Sequence, residues 1–293
     1  MLIQLLANGI ISGCTYALVA LGFGLIYNTT RTFHFAHGAI YTLSVYLFYT
    51  FFNLWKFPLL AAFILALILI AMLGILVDQI LYIPLVKRGS SLLIQMLSSL
   101  GFYIVLVNLI AMIYGNETKV LSPGIQPTYN IGSVILTRIQ VATGITFVLL
   151  FVGLAIILKK TNLGKLIRAM RDNPQLISVL GINPRKIRLL VFSIGSALAA
   201  FAAILMGLDV GVDPNIGMAA ILNGAVAVII GGIGNFEGAA LGALLLGILQ
   251  SLAIWKISSR WQEAITFLVL ILFLLFRPEG ILGKRRRIEE TAI

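Results

Sequence analysis

Between Leu2 and Phe276 the chain runs through nine apolar stretches, at about 2–27, 37–54, 57–83, 91–114, 141–158, 189–208, 217–231, 239–255 and 262–276. A helix that crosses hydrocarbon needs about twenty such residues. Only 11% of the residues are charged, less than half of what a soluble domain carries, so the chain cannot wet its own surface. In lipid every backbone polar group has to be satisfied internally. The expectation is an all-α, polytopic membrane fold of about eight to nine crossing or re-entrant helices, forming a single domain over residues 1–293. The seventh stretch holds roughly fifteen residues, against the twenty or so of a crossing, and ends in Gly231-Gly232-Ile233-Gly234-Asn235, so it reads as a half-helix. Met1-Leu2-Ile3-Gln4 opens straight into a span without a basic leader, so no cleaved signal peptide is expected.

The net charge is +11. In a soluble chain that would suggest nucleic acid; in this one it reads as the cytoplasmic enrichment of Lys and Arg. With nine crossings and the N-terminus outside, sixteen of the 21 basic residues fall inside. Eight of them lie in one stretch, residues 159–188, with Asp172 as its one acid. Residues 115–140, rich in turn formers, read as a small extracytoplasmic cap. Asn116-Glu117-Thr118 has the glycosylation pattern and reads as a chance match.

Polar groups inside the apolar runs are the candidate functional residues. Gln4, Asn8, Ser12 and Thr15 fall within an arc of about 80° on the first span. Such a stripe either lines a path or bonds neighbouring helices. Gln95, Ser99 and Tyr103 suggest a second polar face. Asp78, late in the third span, reads as structural, within reach of Arg88. Asn235 and Glu237 stand at the Gly-rich break, where bare backbone can face a cavity. Glu263 sits at an outer interface. His34 and His37 are the only histidines, too few for a metal site, and suit hydrogen bonding at a helix start. Cys14 is the single cysteine, so no internal disulfide forms. No catalytic constellation, cofactor motif or P-loop is present: Gly280-Ile281-Leu282-Gly283-Lys284 lacks the required spacing.

The basic stretch contains helix punctuation. Asn173-Pro174 is an N-cap with proline at the first position, Gln175 to Leu180 a short, largely apolar helix, and Gly181 its left-handed end. Asn183-Pro184 then opens the sixth span. A short apolar helix on the cytoplasmic side docks either in a partner's groove or on anionic lipid. There is also an internal echo. Phe35-Ala36-His37-Gly38-Ala39 opens the second span and Phe236-Glu237-Gly238-Ala239 the eighth, one residue out of register.

Taken together, the run from Asn8 to Gly22 (NGIISGCTYALVALG), Phe35-Ala36-His37-Gly38, Arg171-Asp172-Asn173-Pro174 with Leu180-Gly181-Ile182-Asn183, Gly231 to Gly238 and Arg277 to Gly283 (RPEGILG) resemble the branched-chain amino acid ABC transporter permeases of the LivH type. The resemblance covers nearly the whole chain in order. It implies one multi-pass subunit of an importer in the bacterial inner membrane, working by alternating access. It also implies partners: a second related permease, two cytoplasmic ATPase subunits and an extracytoplasmic binding protein, besides membrane lipid and without nucleic acid. The translocation path is then expected along Gln4, Asn8, Ser12, Thr15, Phe35, His37, Gly38, Asn235 and Glu237. ATPase coupling is expected at Arg168, Arg171, Asp172, Asn173, Pro174, Ile177, Leu180 and Gly181. Two departures, Ala39 where the family often has an acid and Ile177 where it has alanine, leave the cargo open. Branched-chain or other hydrophobic amino acids stand first; urea, short amides and other small polar solutes are alternatives. A secondary transporter would carry more intramembrane charge for ion coupling, and an intramembrane enzyme would need a catalytic set.

Overall fold

The computed structural model describes residues 1–122, 124, 126–179 and 181–283. Every apolar stretch becomes a helix. In order they are α1 (Leu2–Thr30), α2 (Ala36–Tyr49, continued by a π-helical turn Thr50–Leu54), α3 (Leu59–Val77, continued by a π-helical turn Asp78–Tyr82), α4 (Ile83–Lys87) and α5 (Leu92–Tyr114). A hairpin of β1 (Thr128–Ile131) and β2 (Val134–Thr137) follows, antiparallel, with Thr128 opposite Thr137. Then come α6 (Arg138–Lys160), α7 (Asn162–Asp172), α8 (Pro174–Val179), α9 (Pro184–Val210), α10 (Ile216–Gly231), α11 (Phe236–Ile254) and α12 (Gln262–Phe276). Seven spans among the described residues are long and apolar enough to cross a membrane. The seventh stretch, α10, has 16 residues, or about 24 Å at 1.5 Å per residue, short of a full crossing.

The helix ends follow the local chemistry. Thr137 and Gln140 form a capping box at the start of α6, each side chain bonding the other's backbone N–H. Asn183 Oδ1 accepts from Arg185 N (2.9 Å) with Pro184 at the first position of α9. Asn235 Oδ1 accepts from Gly238 N (2.9 Å) and caps α11.

Helix α1 is the axis of the bundle. In its most apolar 18-residue window 78% of the residues are buried, against 6% for the last span. It packs on α11 through bare backbone. A Cβ on Gly9 would stand 2.8 Å from Ile248 Cα, one on Gly13 2.8 Å from Leu244 Cα, and one on Gly247 2.4 Å from Gly13 N. Small residues spaced by four let two membrane helices approach this closely, where van der Waals contact replaces the missing hydrophobic drive.

The two halves of the sequence echo grip opposite ends of α10. Gly38, at the start of α2, lies against Gly217, where a Cβ would be 2.0 Å from Gly38 O. Gly238, at the start of α11, lies against Gly231, where a Cβ would be 2.1 Å from Gly238 O.

The contacts sort into two ends. At one end Gln4 holds both backbone groups of Ile135 on the hairpin (2.9 and 2.8 Å), and Lys119 pairs with Val212. At the other, Arg31, the α7 helix, the Gly231–Glu237 turn and residues 281–282 come together. Lys284 and Arg285 to Arg287, which the charge count used, lie outside the described residues.

Candidate functional site

Two cavities indent the bundle from its two ends. One, on the side that the charge pattern expects to be outside and so called outer, is about 430 Å³ and is walled by Thr15, Tyr16, Tyr41, Asp213, Asn223 and Gln262 among others. The inner one, about 410 Å³, is walled by Asn28, Lys159, Arg168, Arg171, Asn235 and Glu237 among others. Both run along α1, and they meet it at consecutive residues: Val19 belongs to the outer wall, Ala20 and Leu21 to the inner. At that level α10 packs on α1. A Cβ on Gly224 would stand 2.8 Å from Val19 Cγ1 and 3.3 Å from Ala20 N. On α1 the two cavities are thus lined by adjacent residues, at the level where Gly224 comes close.

The polar stripe of α1 divides between two settings. Gln4 donates to Asn8 Oδ1 (3.0 Å) and to the hairpin, so this pair ties the hairpin to α1. Thr15 reaches the outer cavity wall, with half-buried Ser12 between. Phe35, His37 and Gly38 lie on neither cavity wall. Phe35 N donates to Ser99 Oγ (2.7 Å), and Ser99 Oγ in turn to Phe33 O (3.4 Å). Gln95 Oε1 accepts from Thr32 Oγ1 (3.2 Å). The second polar face thus fastens the link between α1 and α2. His37 is fully enclosed, its ring 6.5 Å from that of Phe23, and neither ring nitrogen makes a hydrogen bond of normal geometry among the described residues. His34 Nδ1 pairs with the hydroxyl of Tyr82 (2.7 Å).

Asp78 is held in a buried ion pair, and its partner differs from the sequence expectation. Arg88 lies eleven residues beyond the end of α3 proper, whereas Arg188, on the first turns of α9, holds the carboxylate from across the bundle: Nε stands 3.2 and 3.3 Å from its two oxygens. Arg188 also lies over the Phe192 ring (5.8 Å), which contacts His34 and Tyr82. A partner 110 residues away has no local signature.

The inner cavity carries most of the basic expectation. Lys159 pairs with Glu237, linking α6 to α11. Arg171 Nη1 donates to Gly234 O (3.1 Å), and Arg31 Nη2 to Arg171 O (3.4 Å). Arg168 turns back onto Leu158 O at the end of α6. Asn235 also donates to Leu282 O (3.0 Å). Asn28 Oδ1 is buried with no hydrogen-bond partner among the described residues.

The short apolar helix exists as α8, and it ends as its glycine implies. Gly181 has φ +76°, with Gly181 N donating to Ser178 O (3.1 Å) and Ile182 N to Ile177 O (3.2 Å). That pair of bonds is the left-handed helix ending in which an L side chain is strained. Ile177 is 1% exposed and belongs to this chain's own core; Val179 is 82% exposed and offers an apolar side chain outward. Asp172 pairs with Arg171 (3.0 Å), and Asn173 N closes α7 on Ala169 O (2.9 Å). Pro174 begins α8; Leu180 lies outside the described residues. The sequence reading passed over α7. Its signals were Thr161 as N-cap and Leu163, Leu166, Ile167 and Met170 at helical spacing, the last two buried.

Comparison with known proteins fits this arrangement. A family model described as "Branched-chain amino acid transport system / permease component" matches residues 5–274. The chain is 33% identical to the high-affinity branched-chain amino acid transport system permease protein BraD of Pseudomonas aeruginosa, over 96% of each chain. It is 31% identical to the corresponding LivH of Escherichia coli K12, again over 96% of each. A probable LivH of Methanocaldococcus jannaschii shares 29%, over 96% of this chain and 92% of that one. Among solved structures, PsaBC from Streptococcus pneumoniae in complex with Fab matches with a TM-score of 0.54, covering 93% of this chain and 91% of that one; at 13% identity the likeness is one of fold.

Proposed function

Because the chain belongs to the branched-chain amino acid permease family, we propose that it carries branched-chain amino acids inward across the bacterial inner membrane by alternating access. It is a multi-pass permease subunit of an ABC transport system, a transport component that works with ATPase and binding-protein partners. In this reading the chain has no nucleotide site of its own, two cytoplasmic ATPase subunits hydrolyse ATP, and a second related permease completes the pore domain.

One observation carries the mechanism: two cavities line adjacent residues of α1, Val19 in one and Ala20 and Leu21 in the other, where Gly224 of α10 comes close to Val19 and Ala20. A zwitterion needs polar partners at every depth, since an unsatisfied polar group in hydrocarbon costs several kcal/mol. The outer cavity receives it from the binding protein, α10 shifts on α1, and the inner cavity releases it past Asn235 and Glu237. Thr15 lines the first stage. Phe35, His37 and Gly38 hold the hinge of α2 beside the contact. Gln4 and Asn8 keep the cap in place over the entrance.

The stretch 159–188 couples this movement to ATP. Helices α7 and α8 form a shelf across the inner end, with Val179 exposed for docking and Arg168 and Arg171 anchoring the shelf to the inner cavity wall. Because α8 leads through Gly181 into α9, and Arg188 fastens α9 to Asp78, a push on α8 reaches α3 and the α1–α2 link together. Differential contact with the two nucleotide states of the ATPases is what such a push requires. The test is co-expression with the neighbouring ATPase and binding-protein genes. Purification as one assembly that imports leucine, isoleucine or valine with ATP supports the reading; a chain that imports them without any ATPase sinks it.

A further inference from the structure

Behind the wall of the outer cavity, five polar side chains from α1, α10, α11 and α12 are joined in one hydrogen-bonded chain. Gln262 Nε2 donates to Gln250 Oε1 (3.0 Å) and to Tyr16 Oη (3.1 Å). Gln250 Nε2 donates to Asn223 Oδ1 (3.0 Å) and to the hydroxyl of Thr266, and Thr266 Oγ1 stands 3.0 Å from the same Asn223 oxygen. Gln250 and Thr266 are fully buried, and Asn223 is 7% exposed.

Buried polar groups in such a network are expected to be hydrogen-bonded. This network has a direction. Asn223 is the terminal acceptor: its oxygen takes two bonds, while no described residue pairs with its Nδ2. Turning that amide round would set its NH2 against that of Gln250. Tyr16 likewise accepts one bond, and its hydroxyl donates to no described residue. Both side chains face the outer cavity. At Asn223 and Tyr16 the donors left without a described partner therefore face the cavity, and Asn223 is more than nine-tenths buried.

Two donors from neutral groups fit an acceptor-rich anion without themselves adding a positive charge that would hold it too tightly to leave; Arg260 and Glu263, also on that wall, are both exposed. Around them Val19, Ala219, Ala220 and Met206 supply aliphatic and thioether surface. Asp213, at the start of α10, places negative charge towards the mouth of the same cavity. We propose that Asn223 and Tyr16 receive the carboxylate of the transported amino acid, with its aliphatic side chain laid on Val19, Ala219 and Ala220 and its ammonium trailing towards Asp213. This rests on the amino-acid reading of the cargo given above, and adds the residues that recognise it.

The experiment uses the complete importer in proteoliposomes with amino-acid-loaded binding protein, following uptake and ATP hydrolysis together. Asn223→Asp keeps an oxygen for Gln250 and Thr266 and replaces only the cavity-facing amide by a carboxylate oxygen. Tyr16→Phe removes only a hydroxyl, leaving Gln262 its bond to Gln250. Both variants are expected to assemble and to keep binding-protein-stimulated ATP hydrolysis within about twofold, while amino acid moved per ATP falls about fivefold or more, the scale of one lost hydrogen bond. Asn223→Gln, which keeps a donor, recovers part of the loss. Unchanged amino acid per ATP in both Asn223→Asp and Tyr16→Phe overturns the carboxylate site, as does an equal fall of uptake and hydrolysis in both. Wild-type uptake of leucine, isoleucine or valine is the separate arm for the cargo; its absence overturns the amino-acid reading and the carboxylate site with it.

Discussion

Arg188 holds Asp78 through both carboxylate oxygens, in a bond that joins the base of α9 to the π-helical end of α3 where Asp78 is fully buried. Removing one partner of a buried pair leaves the other charge without compensation, which costs about 3–5 kcal/mol. Asp78→Asn and Arg188→Gln are each expected to lower the melting temperature in detergent strongly. The double change Asp78→Leu with Arg188→Met is expected to recover most of that loss, since it leaves no orphaned charge. Equal melting of all variants and wild type would show that the pair carries no stability.

The end of α8 depends on backbone conformation alone. A side chain at Gly181 would meet nothing within 4 Å, so only its φ of +76° opposes substitution. Gly181→Val is expected to distort the ending by about 1–3 kcal/mol of strain and to uncouple ATP hydrolysis from uptake, with insertion unaffected. Gly181→Asn, which tolerates the left-handed region, should remain close to wild type. ATP hydrolysed per amino acid imported is the quantity to compare. An unaltered ratio in Gly181→Val would make α8 an ordinary membrane-surface helix.

These two sites differ in how far the sequence revealed them. Gly181 was legible because the cap, the short apolar run and the glycine are contiguous. The same holds for Asn183-Pro184 and for the spans themselves, whose signal is local composition. The partner of Asp78 was not legible: Arg188 lies in a stretch of eight basic residues, and nothing local separates it from Arg88. The donor network was invisible for a similar reason. Tyr16, Asn223, Gln250, Gln262 and Thr266 sit on four helices, so no single helix shows a stripe. Conversely, the stripe that was visible on α1 mixes two tasks, holding the hairpin at Gln4 and Asn8 and lining the cavity at Thr15. Helix periodicity reports which face is polar; it does not report what stands opposite.

The close approach of α2 and α10 gives a steric prediction. A methyl at Gly217 would lie 2.0 Å from Gly38 O, and one at Gly38 2.7 Å from Gly217 O, both against backbone that cannot swing aside. Gly217→Ala is expected to cut the yield of folded protein severalfold, overpacking of this kind costing about 1–3 kcal/mol. Gly101→Ala on α5, where nothing lies within 4 Å, serves as control and should be neutral. The measurement is monodisperse protein recovered by size-exclusion chromatography. Comparable recovery of both would mean that α2 and α10 are free to separate at this point.

Sidedness follows from the sixteen basic residues assigned to one end. Single cysteines introduced at described positions within 116–130 of a Cys14→Ala chain should react with an impermeant thiol reagent from outside. Those introduced within 162–170 should react only after the inner face is opened. The reverse pattern would invert the assignment of the two cavities.

The central claim is that solute passes from the outer to the inner cavity through the α1–α10 contact. A Cβ on Gly224 lies 3.3 Å from Val19 Cβ, near the separation of about 3.5–4.5 Å that a disulfide bridges. Val19→Cys with Gly224→Cys, in a Cys14→Ala chain within the complete importer, therefore allows the contact to be locked by oxidation and released by reduction. The account predicts that amino acid uptake stops on oxidation and returns on reduction. Undiminished uptake by fully cross-linked protein would contradict it.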